Sequence, residues 1–154
     1  MKGRLKTTSQ APQHSFYPQN EQEAWIAIMH ACIAVDGDVA DEELDEMSDT
    51  LAGKAMFEGH DVLAYSRRVF YAHTQIGSKQ MIDNSVDMVA PENRANLFAQ
   101  TIQLVLSDGV LLDKERDIIK YVYSALDLDE AVAKKIIDDF RLQNQGGKQN
   151  NPPA

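Results

Sequence analysis

Cysteine is nearly absent from this chain of 154 residues, and the single one, Cys32, sits in an apolar stretch. One thiol forms no intramolecular disulfide and no thiolate metal cage, which fits a reducing cytoplasm. Long apolar runs are missing too. "AWIAIMHACIAV" and "LFAQTIQLVL" are the longest, well short of the roughly 18 residues that span a bilayer, so no integral membrane segment is expected. The start, "MKGRLKTTSQAPQHSFYPQN", is basic and polar with no apolar stretch behind its charges, unlike a secretory signal. Residues 1–19 are therefore set aside as a flexible N-terminal tail. No HExxH, CxxC, GxGxxG, GxxxxGK[ST] or GxSxG pattern occurs, so the expectation is a protein that is not an enzyme.

Positive charge is scarce where the chain folds. All 24 acidic residues lie between Glu21 and Asp139, with only ten of the 15 basic ones; Lys2, Arg4, Lys6, Arg141 and Lys148 fall outside. That stretch carries −14 against −9 for the whole chain. Such a surface repels phosphate backbones, which argues against nucleic acid and in favour of cations or a basic protein surface.

With 44% hydrophobic and 25% charged residues, the chain has the composition of one globular domain. Apolar residues recur at i, i+3, i+4 and i+7, and period-two alternation is missing, so the expected class is all-α. The pattern predicts seven helices at about 20–35, 41–56, 60–76, 79–88, 92–107, 113–126 and 129–142, with ends uncertain by ~2–4 residues. Trp25, Ile28, Met29 and Cys32 line one face of the first, and Val62, Val69, His73 and Ile76 line the third. Gly77 follows a helix and Pro91 sits where one can begin. The domain spans 20–142; residues 143–154, ending in "GGKQNNPPA", read as a disordered C-terminal tail.

The middle of the chain repeats itself. "WIAIMHACIAVDGDVADEELDEMSDTL" laid over "LFAQTIQLVLSDGVLLDKERDIIKYVYSA" pairs Asp36 with Asp108, Gly37 with Gly109, Asp41 with Asp113, Glu43 with Glu115 and Met47 with Ile119, without a gap. This implies two pseudo-symmetric helix–Asp-Gly loop–helix units packed around one core, joined by the helices between them.

Glu43 and Glu115 each stand one turn before a buried position, so both carboxylates lean toward the core at a helix N-terminus. Two uses fit. One is capping, in which a glutamate at the third helical position reaches back to unpaired backbone N–H groups. The other is a hard cation, Ca²⁺ or Mg²⁺, held by Asp36, Asp38, Glu43 and loop carbonyls, with Asp108, Asp113 and Glu115 as a poorer second set. An EF-hand is excluded: counting from Asp36, the sixth and twelfth residues are Asp41 and Met47 rather than Gly and Glu. The helix after the first Asp-Gly also places Glu42, Asp45, Glu46 and Asp49 on one outward arc, either a solvated face or a docking surface for a basic partner. Arg67 and Arg68 read as surface residues, His73 as a core histidine bonded to a neighbour, His30 as outward-pointing, His60 as a helix-boundary residue and Cys32 as packing.

"ACIAVDGDVADEELDEM" and "LVLSDGVLLDKERDII" together resemble the TerB family of tellurite-resistance proteins and the related domain of a membrane-anchored DnaJ-type co-chaperone. The resemblance covers roughly residues 20–142. It implies an all-helical, seven-helix domain without catalytic activity, acidic positions for metal binding at Asp36, Glu43, Asp108 and Glu115, and a stress-response role alongside other Ter proteins. The chain departs from the family in having Ala40 and Leu112, where Ser or Thr often precedes the acidic helix, so the side-chain half of a capping box is missing in both units.

Overall fold

A computed structural model describes residues 16–35, 41–106 and 112–149, with the backbone alone for 41, 42 and 140–149. Among the described residues the structure is helical with no strand: α1 (Glu21–Ile33), α2 (Asp41–Ala52), α3 (Val62–Ser85), α4 (Arg94–Val105), α5 (Asp113–Ala125) and α6 (Glu130–Gln149). Gly77 has φ 82° and ψ 172°, which breaks α3 into two helical segments and restores the expected count of seven. An L side chain rarely adopts that backbone, so glycine is the residue that permits the kink. Pro91 opens a short 3₁₀ turn, Pro91–Asn93, that leads into α4, a place where its missing N–H costs nothing.

Asn20 caps α1 by accepting the Glu23 backbone N–H at 2.8 Å, and the Glu23 carboxylate returns to the Gln19 N–H at 2.8 Å. The reciprocal pair satisfies two backbone donors at the helix start. Residues 23–33 are all buried, which corrects the expectation of a single buried face. A helix that is apolar all round belongs in the centre of a core, and α1 packs most extensively along α3, then against α4 and α5. Trp25, fully buried, meets Phe57 edge-to-face at 6.3 Å between ring centres.

The repeat is visible in the helix boundaries. Shifted by 72 residues, Glu21–Ile33 becomes 93–105 beside α4 at Arg94–Val105, and Asp41–Ala52 becomes 113–124 beside α5 at Asp113–Ala125. The surroundings of the two units differ. α4 leaves Asn96 and Gln103 exposed, whereas its counterpart α1 is covered on every side, chiefly by the connecting helix α3.

The Arg94 guanidinium donates to the carbonyls of Val89, Leu126 and Val86, each at 3.2 Å, joining the start of α4 to the end of α5. The last helix continues to Gln149, past the expected end near 142. Propagation adds a hydrogen bond for each residue ordered, and Leu142, Gln143 and Gln145 are good helix formers. No helix among the described residues is long and apolar enough to cross a membrane.

Candidate functional site

The acidic helix starts are the first candidate. Asp36, Asp38 and Asp108 lie outside the described residues. Glu43 is half-buried in the first turn of α2. Glu115 occupies the matching place in α5, and its Oε1 accepts the Leu112 backbone N–H at 3.0 Å. Leu112 itself has no side-chain acceptor to return the bond, so half of a capping box operates, as the departure from Ser or Thr implies. Asp113 is almost fully exposed and lies 3.8 Å from Arg116 one turn on. Among the described residues, no group of three or more His, Cys, Asp or Glu side chains is arranged to hold a metal ion.

Replacing Glu115 by Ala removes an acceptor from a helix N-terminus and is expected to cost about 0.5–2 kcal/mol. Glu46, exposed on α2, provides the control, because exposed substitutions generally stay within about 0.5 kcal/mol. Urea denaturation of both variants checks this, and coincident midpoints would contradict the capping role.

A second candidate is a groove of about 560 Å³ between α2 and α3. Leu44, Asp45 and Ser48 form one wall; Leu63, Ser66, Arg67, Phe70 and Tyr71 form the other. Ser66 is buried, and its hydroxyl has no hydrogen-bond partner among the described residues. Leu63, Phe70 and Tyr71 are large hydrophobic residues, yet they are 54%, 47% and 70% exposed. Asp45, Glu46 and Asp49 are exposed along the same side of the molecule as the α2 wall, and no ion pair involves them among the described residues.

Beside the groove lies a histidine pair, His30 buried and His73 half-buried. His30, expected to point outward, is 1% exposed, because α3 covers the flank of α1 that carries it. Its ring meets His73 at 5.1 Å and Phe70 at 5.9 Å, both edge-to-face, and neither ring nitrogen has a hydrogen-bond partner among the described residues. Burial, with the neighbouring His73 second, lowers its pKa to about 4. Burial also lowers that of His73. Ser78 donates to the Ala31 carbonyl at 2.7 Å and lies 2.8 Å from His73 Nε2, so that nitrogen carries the proton and donates to Ser78. His73 is bonded to a neighbour, as expected, but it is half-buried and not a core residue.

Arg68 is exposed, as expected, but it also has a structural role. Its guanidinium pairs with Glu23, a carboxylate with no exposure at all, and stacks over Phe16 at 4.6 Å from the ring centre. An exposed arginine becomes structural when a buried acid lies within its reach. Glu23 and its pairing with Arg68 are absent from the sequence-based expectations; the Asn20-x-x-Glu23 spacing at the start of α1 is the local signal that marks Glu23. Arg67 is exposed, as expected. Cys32 is fully buried, and desolvation pushes its thiol far above the usual range, which leaves it in the unreactive form.

No curated protein and no solved structure matches the chain. The family described as "Tellurite resistance protein TerB" matches residues 22–137, from the first turn of α1 into α6. That match takes in both Asp-Gly units, the groove and the helix connecting them, and on it the chain belongs to the TerB family.

Proposed function

We propose that the chain serves in the stress response its family name records, by binding rather than by catalysis, and that the segment after α1 holds a divalent cation. Asp36, Asp38 and Glu43 would supply the ligands, and an all-oxygen set favours Ca²⁺ or Mg²⁺. The feature that supports the first unit over the second is its third carboxylate, Asp38, where the second unit has Val110. Asp108, Asp113 and Glu115 therefore make the weaker set.

Three carboxylates leave several coordination positions to water, and the expected dissociation constant is on the order of 10⁻⁴–10⁻³ M. A ¹H–¹⁵N titration with Ca²⁺ tests it. Shifts confined to residues near 36–43, and abolished in Asp36→Asn, are the expected result. Diffuse shifts over every acidic helix, or none at millimolar Ca²⁺, would overturn it.

A second reading, a helical module that docks a basic partner, is favoured by the exposed apolar groove beside the carboxylates of α2. Other Ter proteins are candidates for that partner through the family alone.

A further inference from the structure

We propose that the groove between α2 and α3 receives an amphipathic helical segment of a partner protein, one with an apolar stripe flanked by Lys or Arg. This rests on the reading of the chain as a docking module and gives it a place and a chemistry.

Leu63 and Phe70 stand seven residues apart on α3, with Ser66 between them and Tyr71 beside Phe70. That is the i, i+3, i+7 spacing by which one helix meets another, and here the seam is open to solvent. Three large hydrophobic residues about half exposed or more in one groove form a contiguous apolar patch, not scattered surface residues. The volume, about 560 Å³, lies within the ~300–1,000 Å³ of sites that enclose a ligand group. The Ser66 hydroxyl adds a buried polar group to the groove that has no partner among the described residues.

Charge selects the occupant. On the α2 side, DEELDEMSDTLA holds six carboxylates and no basic residue; the α3 wall contributes one exposed cation, Arg67, which these carboxylates outnumber, so the basic flank of the occupant belongs on the α2 side. Asp45 lines the groove and Asp49 follows one turn on, both exposed. An apolar segment flanked by Lys or Arg satisfies both the floor and this wall, and charge complementarity raises its association rate as well as its selectivity. A second copy would bring another chain of net charge −9 with its own acidic α2. An acidic or neutral amphipathic helix would meet the apolar floor without satisfying the wall.

The test uses the full chain and a synthetic amphipathic peptide, with leucines at i, i+3 and i+7 and lysines on both flanks, beside a scrambled peptide of the same composition. Saturable ¹H–¹⁵N shifts at residues 44–48 and 63–71 are expected with the first peptide. Binding should weaken at least tenfold in the double variant Leu63→Ser/Tyr71→Ser, and by a smaller factor in Asp45→Asn. These side chains are surface-exposed, so the variants keep the fold, and circular dichroism verifies it. The Asp36→Asn variant should bind the peptide unchanged, which separates this proposal from the cation reading.

Equal binding of the scrambled peptide would reduce the effect to general attraction by an acidic surface and overturn the proposal. Saturable binding elsewhere on the acidic helices, with the groove untouched, would overturn the groove but keep the docking reading; no binding would overturn both. Groove resonances that move on dilution would identify a second copy as the occupant, and those that move on deletion of residues 1–15 would identify the chain's own basic segment. Either result also overturns the proposal.

Discussion

Arg68→Ala should destabilise the protein by about 2–3 kcal/mol, well beyond what removal of a surface arginine costs. Breaking a buried ion pair by deleting one partner costs about 3–5 kcal/mol, because the remaining charge is left desolvated. Glu23 is that remaining charge, fully buried with its Oε1 shared between Arg68 and the Gln19 N–H, while its Oε2 has no partner among the described residues. The lower figure reflects the exposure of the Arg68 side chain, 47%, which lets solvent screen the pair. The loss should be smaller in the background of Glu23→Gln, since a neutral amide tolerates the missing guanidinium. Chemical denaturation of the two single variants and the double variant gives the coupling directly. If Arg68→Ala cost the same in both backgrounds, its role would be confined to packing on Phe16 and to its contact with the Tyr17 carbonyl.

Acidification should destabilise the fold through His30 by about 3 kcal/mol, from a pKa near 4 in the folded state against an ordinary 6.5, at ~1.4 kcal/mol per unit. The folded state holds this imidazole neutral, whereas the unfolded chain takes up a proton below pH 6.5. The contribution is therefore complete above pH 6.5 and is lost progressively as pH falls toward 4. His73, shifted the same way by burial, adds in the same direction. His30→Leu should remove most of this dependence. At pH 7 the variant should be no less stable than the parent, because two buried ring nitrogens without partners disappear together with the ring. Relief of repulsion among the carboxylates is common to both proteins, so the informative quantity is the difference between their stability curves from pH 7 to 4.5. Parallel curves would show that His30 is solvated or protonated in the folded state.

Much of the molecule was legible before any coordinates. The 3.6-residue period located every helix of the described residues, and Gly77 and Pro91 marked a break and a start. The repeat, read as an offset of 72, reappears in helix boundaries that agree to within one residue. Glu115 at the third position of α5 was readable as a cap from its place in the sequence, because capping involves only backbone a few residues away.

Other features depended on how the helices meet. The residues of α1 are apolar nearly all round, so their period could not tell which flank would be exposed, and His30 went to the wrong side. Glu23 and Arg68 are 45 residues apart, and no local pattern ties them. The groove has the same origin: Leu63 and Phe70 lie beside the face that the pattern assigned to Val62, Val69, His73 and Ile76, and they stay exposed because α2 leaves a gap beside them. Amino-acid order determined the helical class, the places of the helices and the acidic balance, since each depends on backbone geometry or on a sum of charges. Tertiary structure alone decided which carboxylate and which histidine would be buried and which apolar face would stay open, because burial depends on what a distant segment brings against each side chain.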